Sequence, residues 1–105
     1  MIRVTVLYPK TSDSTFDLDY YLNTHTPMVK ERLMPLGMVR IEVDQGVAGL
    51  APGQPPTYEI IAYLVFESIE VLQKGLATHG AEISGDIVNF TNVQPQIQIN
   101  QIIVS

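Results

Sequence analysis

The segment from Tyr58 to Phe66 constrains the fold most, because it reads as a strand that is apolar on both faces. Successive side chains of a strand point to opposite faces of the sheet. One face carries Ile60, Ala62, Leu64 and Phe66, and the other carries Ile61, Tyr63 and Val65. Such a strand must be covered on both sides. One cover is expected to be helical, and no element of this short chain remains for the other side, so the strand predicts a partner subunit.

The remaining periodicities predict one domain over residues 1–105 with the element order βαββαβ. Alternation indicates further strands at residues 2–8, 39–43 and 95–104, and helical spacing indicates helices over roughly 17–34 and after residue 68. Asp17 and Ser68 are suitable N-caps for these two helices. The order is typical of the ferredoxin-like fold, in the α+β class, in which an antiparallel sheet carries both helices on one face.

Several residues mark irregularities in these elements. Pro27 removes a hydrogen bond from the first helix and predicts a kink just past His25. Gly80 is a candidate end or break of the second helix. The alternation slips at residues 101–103, which indicates a bulge or a chain end that crosses onto a neighbouring subunit. The long loop at residues 46–56 is rich in Gly and Pro and is expected to be functional or to join an interface.

Charge and composition exclude several functions. The chain has 6 Lys+Arg against 11 Asp+Glu, a net charge of −5, and no basic cluster, so nucleic acid and anionic membranes are poor partners. It has no cysteine, which excludes disulfides, thiolate catalysis and cysteine-ligated metals. No secretory signal and no apolar run of membrane-spanning length is evident, so a cytoplasmic location is expected.

His25, one of two histidines, lies in the apolar stripe of the predicted first helix. It follows Tyr21 by four residues, so the two side chains are neighbours on that face. Histidine titrates near neutral pH, and a histidine on a buried face beside a tyrosine is therefore a candidate general acid or base. The alternative is a core histidine that is hydrogen-bonded to a backbone carbonyl.

His79 lies on the apolar stripe of the second helix. Because the two helices of this fold run antiparallel, the topology predicts that His79 approaches Asp17, Tyr20 or Tyr21 and shares a cavity with His25. No metal and no cofactor are predicted. Two histidines without a spaced set of carboxylates fall short of the usual three metal ligands, and the chain lacks a glycine-rich phosphate loop and a serine nucleophile elbow.

Several segments together resemble the EthD family. They are Tyr20-Tyr21-Leu22-Asn23-Thr24-His25-Thr26-Pro27, Phe66-Glu67-Ser68, His79, and Asp86-Ile87-Val88-Asn89-Phe90-Thr91-Asn92 followed by Pro95. The resemblance implies two ferredoxin-like subunits whose sheets pack face to face in a homodimeric α+β barrel. The family is named for an association with ethyl tert-butyl ether degradation, beside oxidative enzymes. Similar barrel proteins include cofactor-free monooxygenases, polyketide cyclases, lactone isomerases and haem-degrading enzymes, and fold likeness does not choose among them.

The chemistry that the residues leave open is proton transfer in an apolar, aromatic-lined pocket. His25 is expected to take or give a proton, and His79 to orient the ligand or act as the second acid–base group. Tyr21 or Tyr63 is expected to donate a hydrogen bond to an oxyanion on a phenol, quinone or enone ligand. Tyr8 is a further candidate for ligand contact.

Asp86, Asn89 and Asn92 match the family segment, and Asn92 is a candidate for ligand binding, although these residue types also cap turns. Two functions follow. The first is a small oxidoreductase, isomerase or cyclase, or an accessory to such an enzyme, that binds a hydrophobic or aromatic metabolite and moves protons. The second is a noncatalytic carrier or assembly subunit that supports an oxygenase. A purely structural dimer is the third alternative.

Overall fold

A computed structural model describes all 105 residues, and its elements follow the predicted order. The strands are β1 (Ile2–Pro9), β2 (Met38–Gln45), β3 (Tyr58–Phe66) and β4 (Gln96–Gln101). The first helix is a continuous run of α1 (Leu18–Tyr20), a π-helical turn (Tyr21–His25), α2 (Thr26–Leu33) and a 3-10 turn (Met34–Leu36). The second helix is α3 (Ile69–Gly85), which is followed by a 3-10 turn (Ile87–Asn89).

The four strands form one antiparallel sheet in the order β2-β3-β1-β4. Val4 lies opposite Leu64 on one side and Ile99 on the other, which fixes the register of the three strands. The chain therefore has the ferredoxin-like α+β fold that the element order predicts.

The core lies between the helices and one face of the sheet. Its first part contains Leu33 of α2 and Leu72 of α3, packed on Val4, Met38 and Phe66 of the sheet. Its second part is aromatic and contains Tyr8, Tyr21, Ile60 and Phe90. The second part is built at the end of the helical layer where the first helix begins and α3 ends, and it surrounds His25.

The two predicted N-caps are confirmed. The Asp17 carboxylate accepts a hydrogen bond from the Tyr20 backbone N–H at 3.0 Å, and the Ser68 hydroxyl accepts one from the Val71 backbone N–H at 3.2 Å. Each satisfies an N–H that has no acceptor within its own helix. Gly80 neither ends nor breaks α3, which continues to Gly85.

The first helix contains a π-helical turn just before Pro27, which the sequence did not predict, and the kink predicted past His25 stays a prediction. The Thr26 backbone N–H bonds to the Tyr21 carbonyl, five residues earlier, and Pro27 then occupies the first turn of α2. Pro is well tolerated in a first turn, where its missing N–H is not needed. Such π-helical turns occur often at functional sites.

The chain end is shorter as a strand than the alternation predicts. β4 begins at Gln96 and ends at Gln101, after which the Ile102 backbone N–H bonds to the Met1 carbonyl at 2.9 Å. Ile103 and Val104 are exposed. Whether this end crosses onto a neighbouring subunit stays a prediction.

The second face of the sheet is not covered by either helix. The registers place on it Arg3, Thr5, Leu7, Arg40, Glu42, Asp44, Ile61, Tyr63, Val65, Gln96, Gln98 and Asn100. We call this surface the open face. Its centre is apolar and its margins are polar, which agrees with the reading of strand 58–66 as apolar on both sides.

None of the helices has the length and apolar character needed to cross a membrane.

Candidate active site

His25 lies at the end of the π-helical turn, with its side chain turned into the aromatic part of the core. The residue is 5% exposed. Its ring stacks on Tyr21 with centroids 5.5 Å apart and planes 20° apart, and it lies 4.6 Å from the ring of Phe90. The helical spacing therefore predicted both the buried face and the Tyr21 neighbour correctly.

The polar partner of His25 is a carboxylate and not a backbone carbonyl. His25 Nδ1 lies 2.8 Å from Asp86 Oδ2. Asp86 is the residue directly after α3, and it also accepts hydrogen bonds from the Tyr20 hydroxyl at 2.7 Å and from Asn89 Nδ2 at 2.9 Å. We call these four residues the His25–Asp86 cluster.

Asp86 is held ionised by its three donors. Its partial burial raises the pKa of the carboxyl, but the hydrogen bonds from Tyr20, Asn89 and His25 outweigh this effect and lower the pKa below its ordinary value. An ionised carboxylate has acceptor capacity only, so the hydrogen of the short contact belongs to His25 Nδ1. This assignment follows from the hydrogen-bond network.

When the ring of His25 is neutral and carries its hydrogen on Nδ1, its other nitrogen, Nε2, has the lone pair that can accept a proton. Nδ1 is the ring nitrogen that has a hydrogen bond within the chain, and Nε2 has no hydrogen-bond partner there. A neutral histidine that is protonated on Nδ1 and oriented by a carboxylate is the arrangement of a general base.

The tyrosines around His25 are neutral phenols. Burial raises the pKa of Tyr21 to about 12 and raises that of Tyr8 further. The hydrogen bond to Asp86 raises the pKa of Tyr20. Tyr8 lies 6.0 Å from Tyr21 and 5.7 Å from Phe90, centroid to centroid, in edge-to-face contacts. Tyr8 and Tyr21 are both 2% exposed, so contact with a ligand requires movement of the rings that cover them.

The structure does not bring His79 to His25. His79 Nδ1 lies 3.7 Å from Glu82 Oε1, and Glu82 is in turn paired with Arg32. The antiparallel arrangement of the helices was predicted correctly, but the residue that contacts His25 is Asp86, which directly follows α3. The contact with Glu82 does not assign a chemical role to His79, and its catalytic role stays a prediction.

Tyr63 and Asn92 also lie apart from His25. Tyr63 is on the open face, with the Arg3 guanidinium 5.6 Å from its ring centroid, and burial together with Asp44 raises its pKa. The Asn92 amide is used within the chain: its Oδ1 accepts from the Thr15 backbone N–H, and its Nδ2 donates to the Asp13 carbonyl, at 2.8 and 2.9 Å. Asn92 therefore joins two loops.

The role of Asp86 goes beyond what the sequence predicts for it. Asp86 directly precedes the 3-10 turn after α3, but its side chain does not cap that turn and bonds His25, Tyr20 and Asn89 instead. The sequence signal for this role is the Asp86-x-x-Asn89 spacing. It places Asn89 one turn after Asp86, where its amide donates a hydrogen bond to the carboxylate.

Two cavities adjoin the cluster, and neither histidine lines them. The larger has a volume of about 930 Å³, and the smaller one of about 310 Å³ is lined by Asp86 and Asn89 together with Glu82 and Thr24. Asn89 lines both cavities, and Phe90 forms part of the wall of the larger one. The chain contains no group of three His, Asp or Glu side chains placed to hold a metal ion.

The model of the EthD domain matches residues 9–94 of the chain. This range is most of the sequence and includes every residue of the His25–Asp86 cluster. The chain belongs to the EthD family. An EthD-like protein from Ralstonia eutropha JMP134 is 40% identical, with a TM-score of 0.91 over 98% of this chain and 92% of that one. No curated protein sequence matches the chain significantly.

Two more distant structures share the fold. An ethyl tert-butyl ether degradation (EthD) family protein from Bacillus halodurans C-125 is 19% identical, with a TM-score of 0.75 over 98% of this chain and 99% of that one. A dimeric protein of unknown function with a ferredoxin-like fold from Bacteroides fragilis NCTC 9343 is 18% identical, with a TM-score of 0.52 over 96% and 95%. At these identities the likeness concerns the fold alone.

Proposed function

We propose that this EthD-family protein is an enzyme that binds a small hydrophobic or aromatic metabolite and catalyses proton transfer through His25, without a bound metal. The observation that carries the proposal is the 2.8 Å contact between His25 Nδ1 and Asp86, which fixes the imidazole and leaves Nε2 unpaired. A buried imidazole of this kind is positioned to remove a proton from a C–H next to a carbonyl or from a phenol.

Asp86 supports this chemistry in both protonation states of His25. It accepts the Nδ1 hydrogen of the neutral ring, and its negative charge stabilises the imidazolium that forms when Nε2 takes a proton. Tyr20 and Asn89 hold the carboxylate from its other oxygen, so the pair is oriented before a ligand arrives. Asp86 is thus a positioning residue, and His25 is the group that meets the substrate.

The proposal is tested by proton exchange at carbon, which requires no knowledge of the natural substrate. 2-Tetralone is a neutral aromatic ketone with acidic C–H bonds. In D₂O, His25 removes one of its C1 protons to give the enolate, and a deuteron returns to C1. The rate of deuterium incorporation is followed by NMR, with the buffer-catalysed rate subtracted.

We expect the protein to accelerate this exchange and His25→Gln to remove the acceleration, since general-base catalysis supplies factors of roughly 10² to 10⁴. His79→Gln is the matched variant at the other histidine. An exchange rate that falls in His79→Gln supports the predicted role of His79 as the second acid–base group, and an unchanged rate assigns proton transfer to His25 alone. Equal rates for the protein and for His25→Gln, with both folded by circular dichroism, contradict the proposal.

The noncatalytic carrier remains a second candidate, because the larger cavity does not include His25 among its lining residues. The ring of Phe90 belongs to the cavity wall and lies against His25 on its other side. A ligand that stays in this cavity is stored and not transformed. Saturable binding of 2-tetralone without accelerated exchange supports the carrier.

The homodimer belongs to the same proposal. The open face carries the partly exposed apolar side chains of Leu7, Ile61 and Tyr63, and both helices lie on the opposite face. A second sheet that packs on this face would remove their apolar surface from water. The dimeric description of the Bacteroides fragilis neighbour is consistent with face-to-face pairing of two such sheets.

A further inference from the structure

We infer that the larger cavity is a binding site for an uncharged, planar aromatic molecule, and that this site is separate from the imidazole of His25. The cavity lies at the edge of the molecule beside β4, between the residues that follow α3 and those that precede the first helix. Its volume of about 930 Å³ lies within the range of small-molecule sites.

The apolar wall of the cavity fits a planar ring system. It consists of Phe16, Ile87, Val88, Phe90, Val93 and Ile97. Val88 and Ile97 are large apolar side chains that are 80% and 61% exposed. A ligand that covers them removes apolar surface from water, which favours binding. The ring of Phe16 is partly exposed and packs edge to face on the buried ring of Phe90 with centroids 5.3 Å apart, so Phe16 is the aromatic residue of the wall that a ligand ring can contact.

The charges at the cavity exclude an anionic ligand. The lining contains no Lys, Arg or His, and its charged member is Asp17. Asp86 lies next to it, bonded to Asn89 of the lining, and the whole chain has a net charge of −5. A carboxylate or phosphate moved into this site would lose its hydration without gaining a cation, which is strongly unfavourable.

Polar groups in the lining are suited to a neutral ligand. Ser84, Asn89 and Gln94 contribute a hydroxyl and two amides, each of which bonds a carbonyl or hydroxyl without requiring charge. Asn89 connects this cavity to the His25–Asp86 cluster, because its Nδ2 bonds Asp86 while the residue lines the cavity. The expected ligand is therefore an aromatic molecule of two or three rings with a carbonyl or hydroxyl group.

Two compounds of nearly the same shape separate charge from fit. 2-Naphthamide is neutral and 2-naphthoate is anionic at pH 7. Binding is measured by equilibrium dialysis and by NMR shift changes of the Val88 and Ile97 methyl groups. We expect 2-naphthamide to bind saturably and at least tenfold more tightly than 2-naphthoate. Equal binding of the two compounds overturns the argument from charge.

The location is tested by Ile97→Glu, which places a charge on an exposed position in the wall, and by Val104→Glu as its control at a position 85% exposed outside the cavity. Ile97→Glu should weaken 2-naphthamide binding at least tenfold, and Val104→Glu should leave it unchanged. If 2-naphthamide does not bind saturably, or if it binds both variants with equal affinity, the proposed location of the site is wrong.

The same measurements distinguish a failure of the binding-site inference from a failure of the enzyme proposal. His25→Gln should retain 2-naphthamide binding, because His25 does not line the cavity. If 2-naphthamide does not bind while His25→Gln abolishes exchange of 2-tetralone, this inference is wrong and the enzyme proposal stands. If 2-naphthamide binds while His25 has no effect on exchange, the site stands and the enzyme proposal is wrong.

Discussion

The most informative single change is Asp86→Ala, because it removes the acceptor that three side chains share. The hydrogen on His25 Nδ1 is buried with the ring, and an unsatisfied buried donor costs roughly 1–3 kcal/mol. Asn89 is exposed and Tyr20 is partly exposed, so both can bond water instead and contribute little to the loss. We therefore expect the free energy of unfolding to fall by about 2 kcal/mol at pH 7.

The assay is urea unfolding at one protein concentration, since association would couple stability to concentration. With a urea dependence of about 2 kcal/mol per molar, the midpoint falls by about 1 M. Glu82→Ala is the matched control in the last turn of α3: its carboxylate pairs with Arg32 at 3.0 Å on the surface, where solvent screens the pair, so its loss should leave the urea midpoint nearly unchanged. If both variants lose the same small amount, Asp86 is not the anchor of His25.

Three further results are expected. Because the folded state lowers the pKa of Asp86 below 3.8, its contribution is present above this pH and is lost as the pH falls further. The stability difference between the protein and Asp86→Ala should thus narrow as the pH falls below 3.8 in urea titrations. Phe90→Ala should cost about 3–5 kcal/mol, and Val88→Ala, at an exposed position, less than about 0.5 kcal/mol. Leu7→Lys on the open face should convert a dimer to monomers, as measured by sedimentation velocity. Leu50→Lys, at a fully exposed position, should leave the dimer intact. A dimer that persists in Leu7→Lys contradicts the proposed interface.

The fold was predictable because it is encoded in local periodicity. The bounds of β3 match the residues 58–66 that the alternation indicated, and the caps Asp17 and Ser68 act where the sequence placed them. The buried position of His25 beside Tyr21 also follows from spacing within a single helix. Each of these features depends on residues a few positions apart.

The site was only partly predictable because its key contact is not local. His25 and Asp86 are 61 positions apart, and their meeting depends on the axial offset of the two helices. The same antiparallel topology favoured His79, and a shift of about two helical turns separates that residue from Asp86. The π-helical turn at Tyr21–His25 was also not predicted, because the residue types in it do not distinguish a π-helical turn from an α-helical one.

The hydrogen bond to Asp86 fixes the tautomer of His25: the neutral ring carries its hydrogen on Nδ1 and leaves Nε2 to accept a proton. The direct measurement is ¹⁵N NMR of the imidazole rings at a pH where His25 is neutral, with the two histidines assigned by His79→Gln. The account predicts a protonated Nδ1 and an unprotonated Nε2 for His25, and loss of this preference in Asp86→Ala. A neutral His25 that carries its hydrogen on Nε2 contradicts the account, because the free nitrogen would then face Asp86 and no base would be available to a ligand.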